Sequence, residues 1–181
     1  MTYPYSLDDY ILDLKEYAYK TGLKSPSVIA HSFGARVAIK SAYQDANFFD
    51  KLVLTGAAGL KPKNTLKKNI KRISFNFLKK FIPKEKLKGF YSSDYLALSP
   101  VMQESFIKII NETLDYALPF INNQTLLVFG DLDQETPLYM AKRFHENISN
   151  SKLKIMEGAG HFCFLDKPHA FNMEVREFLL S

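Results

Sequence analysis

Apolar positions along the chain change their spacing in a regular order. Leu7, Ile11, Leu14 and Ala18 recur every three or four residues, the stripe of an amphipathic helix. Ser6, with Asp9 three residues on, offers a capping pattern in a shortened acidic form, and Gly22 offers a stop. Val28 and Ile29 then extend a short buried strand that breaks at His31 and Ser32. Helical spacing resumes at Ala35, Ala38 and Ile39, which predicts a helix from about Phe33 to Gln44. Leu52, Val53 and Leu54 read as a second buried strand, Thr125–Gly130 as a third and Lys152–Gly160 as a fourth. Helical patterns follow the last two from Pro137 and Pro168, each proline falling near a first turn. Strands alternating with helices predict an α/β fold: a mostly parallel sheet with helices on both faces.

One long stretch interrupts that alternation. From about Lys61 to Pro119 the chain has helical patterning and no strand, with Leu66, Ile70, Ile73, Phe77 and Phe81 forming one apolar stripe and Val101–Leu114 a second amphipathic helix. This insert also reorganises the charge. Lys61–Phe90 holds eleven Lys or Arg against one Glu, a net +10, so the whole-chain value of +5 leaves the other residues at −5. A solvated cap helix is the plainer reading of the basic run; contact with an anionic membrane surface, or with anionic substrates, is the sharper one. Nucleic acid is not expected, since no reading motif frames Phe75, Phe77 and Phe81.

Length and composition add bounds. The 181 residues fit a single domain spanning 1–181, with the insert at about 61–119 as part of it. No apolar run approaches the ~18 residues of a membrane span, and the first residues lack the pattern of a signal peptide. Cys163 is the only cysteine, which excludes an internal disulfide and fits a reducing compartment, so a cytoplasmic location is expected.

Candidate chemistry starts at "AHSFG", Ala30–Gly34, one residue away from G-x-S-x-G, a strand-to-helix turn that lifts a serine out of the sheet. The turn needs small residues two places either side of Ser32, and alanine is the smallest substitute for glycine. A serine hydroxyl is a weak nucleophile without a base, so a histidine and an orienting acid must be found. Of the four histidines, His161 lies just past the end of the fourth predicted strand, where parallel sheets place their sites, whereas His145 lies within a helical pattern, His169 opens another, and His31 adjoins the serine, usually a packing position. Asp131 and Asp133, beyond the third strand, could each reach its imidazole. No cluster of Cys, His and acids has metal-ligand spacing, and no cofactor is expected.

These motifs resemble the α/β hydrolase family. Gly130, Asp133 and Pro137 match its G-x-x-D-x-x-x-P arrangement, which selects Asp133 over Asp131, and Gly158, Gly160 and His161 match its G-x-G-H. The resemblance implies a triad in chain order Ser32, Asp133, His161, an oxyanion donor at the Phe33 N–H, a helical cap, and hydrolysis of a small ester, thioester or related acyl substrate. A non-catalytic binding protein that keeps the fold is the alternative from another class. The family normally has several strands before the helix that begins here at Ser6, with a loop carrying the second oxyanion N–H. The chain is therefore expected to be a fragment of a longer reading frame. A short protein that pairs its open sheet edge with a partner, and a decayed relative that no longer turns over, are the competing accounts.

Overall fold

The computed structural model describes residues 3–63 and 97–181. The apolar stripe Leu66–Phe81 and most of the basic run lie outside them. The chain divides into two compact units, Leu7–Lys61 with Glu112–Ser181, and Met1–Ser6 with Pro62–Asn111.

The first unit holds the sheet. Its elements are α1 (Leu7–Lys20), β1 (Val28–His31), α2 (Phe33–Gln44) and β2 (Lys51–Thr55). After the segment of the other unit come a 3-10 turn (Leu118–Phe120) and β3 (Gln124–Gly130). The other helix, α3 (Pro100–Asn111), belongs to the second unit, and the first then continues with α4 (Leu138–Asn147), β4 (Ser151–Met156), α5 (Cys163–Asp166) and α6 (Pro168–Leu180). The strands lie in the order β1-β2-β3-β4, every neighbour parallel, as the alternation predicts.

Period-two alternation along β3 divides the core. Leu126 and Val128 join Val53, Met156, Phe171, Val175 and Phe178 in one buried cluster beneath α6. Phe129, of the opposite parity, meets the ring of Phe144 on α4 at 6.2 Å, so helices cover both faces. β2 is buried along its whole length, Lys51 included. That lysine is tolerated because its ammonium donates to the carbonyls of Phe178, Leu179 and Ser181 at 3.2, 3.3 and 3.0 Å, the acceptors a helix C-terminus leaves open. β1 is the edge of this sheet among the described residues, and Ile29 on it is 54% exposed.

Two sets of polar contacts fasten the helices and the flanks of the insert within this unit. The Lys40 ammonium on α2 is held between Asp8 at 2.8 Å and Glu112 at 2.6 Å, and Gln44 adds a bond to Asp8 at 2.7 Å. Arg143 on α4 donates to the carbonyl of Lys61 at 2.7 Å and pairs with Asp115. At the other end of α1, Gly22 adopts φ +70° and the Leu23 N–H reaches back to Ala18 at 2.9 Å, the hydrogen-bonded stop that glycine permits.

Element ends differ from the sequence expectation in three places, each with a local cause. α3 stops at Asn111 rather than Leu114, because Leu114 is fully buried in the first unit and its N–H donates to Gly59 at 2.8 Å. β4 stops at Met156 rather than Gly160, since Gly158 at φ +66° turns the chain out of the sheet. α5, a single turn, carries too little periodicity to be seen in advance. In the second unit, Ser105 on α3 accepts the Tyr5 N–H at 2.8 Å, and Lys108 donates to Pro4 at 3.2 Å.

Phe144 is fully buried against β3. Truncation to alanine is expected to cost about 3–5 kcal/mol, the range for a buried aromatic ring. Urea unfolding monitored by circular dichroism measures it, and a loss under about 1 kcal/mol would contradict this packing.

Candidate active site

The turn between β1 and α2 holds Ser32 in a backbone conformation that non-glycine residues rarely adopt, φ 47° and ψ −106°. Hydrogen bonds on both sides keep it there. Its N–H donates to Thr55 at 3.0 Å, and its carbonyl accepts from Ala35 at 3.2 Å and Ala58 at 3.3 Å. The small residues around it face one another, since a Cβ built on Gly34 would lie 3.8 Å from the Cβ of Ala30. Alanine at 30 therefore fits where the motif has glycine. Phe33 begins α2, and its N–H has no acceptor among the described residues, as expected of a first helical turn.

In the loops after β3 and β4, close backbone contact sets the positions of Asp133 and His161. A Cβ on Gly130 would collide with the carbonyl oxygens of Ala159 and Gly160, so only glycine lets the loop after β4 lie against the end of β3. Asp133 is buried in the turn that follows. Its Oδ1 accepts the N–H groups of Glu135 and Thr136 at 2.8 and 2.9 Å, and its Oδ2 accepts the Thr136 hydroxyl at 2.6 Å. That same Oδ2 lies 2.8 Å from Nδ1 of His161. Burial pushes the Asp133 carboxyl up, but hydrogen bonds from the Thr136 hydroxyl, His161 and the Thr136 N–H outweigh it and leave the group below the ordinary aspartate range. Asp131, the rival acid, accepts the Ala159 N–H at 3.3 Å and thus ties the two loops together.

His161 packs its ring on bare backbone and on His31. A Cβ on Gly56, the residue after β2, would lie 3.1 Å from Cε1 and Nδ1 of the imidazole. The two histidine rings are 4.6 Å apart, with Phe162 beside both at 5.0 and 5.3 Å. His31 lies 3.1 Å through Nδ1 from the Thr55 carbonyl, and its buried Nε2 has no hydrogen-bond partner among the described residues. Burial, and then the neighbouring His161, press its pKa down, which favours a neutral ring with its proton on Nδ1. Nε2 of His161 faces Glu135 Oε2 at 3.4 Å. No hydrogen bond joins it to the Ser32 hydroxyl among the described residues, although Ser32 and Gly56 both adjoin Thr55.

His145 instead lies against Ser151, at 2.9 Å, and His169 sits in the first turn of α6. Cys163 is fully buried with Sγ 3.2 Å from the Thr55 hydroxyl, and burial pushes its thiol up. Among the described residues no three His, Cys, Asp or Glu side chains gather as a metal site would require. Sequence reasoning did not single out Thr136 or Glu135. The signal for Thr136 was present, because a hydroxyl three residues after an aspartate is placed to close such a turn.

A family model described as "Alpha/beta hydrolase family" matches residues 2–174. An uncharacterized hydrolase of Bacillus subtilis is 21% identical over 185 residues, 87% of this chain and 66% of that protein. The pimeloyl-[acyl-carrier protein] methyl ester esterase of Neisseria meningitidis is 38% identical over 64 residues, 35% of this chain and 25% of that protein. The chain spans about two thirds or less of the curated relatives it matches. Among solved structures, an esterase from Exiguobacterium antarcticum superposes with a TM-score of 0.72 at 24% identity, covering 97% of this chain and 74% of that one, a likeness of fold.

A lowered Asp133 pKa ties stability to pH with a defined sign. The folded carboxyl is more acidic than the unfolded one, so its contribution is complete above the unfolded value of about 3.8 and is lost as pH falls through the lower folded value. The stability gap between the natural protein and Asp133→Asn is therefore expected to narrow as pH falls from about 4 toward 2. Urea titrations across that range check it; a gap that widens in acid contradicts the assignment.

Proposed function

Because the chain belongs to the alpha/beta hydrolase family, we propose that it is a serine hydrolase acting on a small ester, thioester or related acyl compound through an acyl-enzyme on Ser32. The observation that carries this reading is the 2.8 Å contact of Asp133 with His161 Nδ1, on a ring that packs against the residue preceding Ser32. Asp133 fixes the tautomer: Nδ1 keeps its proton and donates it in a hydrogen bond to the carboxylate, which leaves the Nε2 lone pair to take the proton of the Ser32 hydroxyl. Serine Oγ then attacks the carbonyl carbon, and the oxygen that becomes negative meets the Phe33 N–H at the positive end of α2. Nε2 passes the proton to the leaving group, and water repeats the sequence to release the acid. None of these steps calls on a metal or an organic cofactor.

The strained φ of Ser32 serves this chemistry by holding the nucleophile in place before substrate arrives. Phe33, Leu132 and Phe162 flank the three residues in sequence and are exposed, which suits an apolar acyl group. The methyl ester esterase of Neisseria meningitidis, similar over 64 residues, supports an ester as the substrate class. A non-catalytic binding role is the second reading. It is favoured by the lack of a Ser32 to His161 hydrogen bond among the described residues.

A fluorophosphonate probe is expected to modify the protein once, at Ser32, and Ser32→Ala is expected to abolish both that modification and turnover of p-nitrophenyl esters. Mass spectrometry of the labelled peptide decides it. Labelling that survives the substitution would falsify the assignment, and a folded protein inert to probe and ester alike would favour the binding role.

A further inference from the structure

Glu135 is a charged group beside the proposed site to which the mechanism gives no task. Its carboxylate is 70% exposed, and Oε2 lies 3.4 Å from Nε2 of His161, the atom that takes the serine proton and hands it on. Among the described residues no Lys or Arg stands within ion-pair distance of Glu135. The other charged or titratable groups around that ring do not cancel it. Asp133 is buried and held by three other donors, Asp131 is a second exposed carboxylate on the same loop, and His31 is biased toward its neutral form.

In acyl transfer the bond from the acyl carbon to Ser32 Oγ forms, the bond to the leaving heteroatom breaks, and the serine proton travels through Nε2 to that heteroatom. The leaving group must therefore come within hydrogen-bond reach of Nε2, and so within a few ångströms of the Glu135 carboxylate. Resting on the serine hydrolase reading above, we propose that Glu135 is a specificity-determining residue that makes this site favour acyl compounds whose leaving group carries a positive charge. A cationic leaving group gains from the carboxylate both on binding and in the transition state; an anionic one is repelled. Glu135 is open to solvent, so the effect is moderate, about three- to ten-fold for a charge roughly 6 Å away, and it weakens with salt.

Two thioester probes with the same acyl group test this with the whole chain. They are identical except that one leaving thiol carries a trimethylammonioethyl group and the other its uncharged carbon isostere, 3,3-dimethylbutyl. The kcat/KM of each is followed by thiol release and divided by the probe's rate with neutral hydroxylamine in solution, which removes intrinsic leaving-group ability without adding a charge attraction. The natural protein is expected to prefer the cationic probe by about three- to ten-fold at low salt and by less in about 0.5 M NaCl. Glu135→Gln is expected to lose the preference and Asp131→Asn to keep it. Equal normalised rates in the natural protein, or a preference that Glu135→Gln retains, overturn the proposal while leaving the hydrolase reading intact. Absence of turnover with both probes overturns the two together.

Discussion

Ser32, Asp133 and His161 lie far apart in the chain, and the parallel pairing of short strands is what carries their loops to one end of the sheet. His31 stands opposite Thr55, Thr55 opposite Val128, and Gly130 opposite Met156, so β1, β2, β3 and β4 all finish on the same side. A slip of one residue in any pair would move a loop by about 3.3 Å and exchange the two faces of a strand. The buried cluster beneath α6 and the Phe129 to Phe144 contact make such a slip expensive, because each demands its own parity of β3 residues. Core packing and site geometry are thus one constraint seen from two sides.

Local strain at the end of β1 depends on the same framework. A serine at positive φ persists only where its surroundings hold it, and here the holding groups come from the neighbouring strand and the loop after it, through Thr55 and Ala58. Asp133 shows the complementary arrangement. Its burial would favour the neutral acid, yet two N–H groups and a hydroxyl from its own turn keep it charged. The cost of desolvating that carboxylate is met within the turn, before His161 adds its bond. The acid is thereby in position whether or not the imidazole is protonated.

The parts of this architecture legible in the sequence are those governed by spacing. Apolar runs marked all four strands, and the small residues around Ser32 marked the turn, because both signals are local. The choice between Asp131 and Asp133 was not local. Two carboxylates two residues apart in one loop differ only in which way the backbone turns, and that depends on Gly130 meeting Ala159 and Gly160. Lys51 illustrates the opposite failure. A lysine ordinarily marks a surface, but this one is buried because α6 brings three carbonyl oxygens to it from the far end of the chain. Glu135 belongs to the same class, since the sequence places it two residues from Asp133 without showing that its side chain returns to His161.

Gly56 carries a consequence for how the site can change over time. At φ +49°, with a Cβ there falling 3.1 Å from the His161 imidazole, a side chain at this position would be strained and would crowd the ring of the proposed base. On that side the imidazole rests on bare backbone, while His31 and Phe162 meet it with their rings. Variation that redirects this scaffold toward other substrates has the exposed positions around the loops to work with. Position 56 is not among them, because a side chain there would sit at positive φ and press on the imidazole itself.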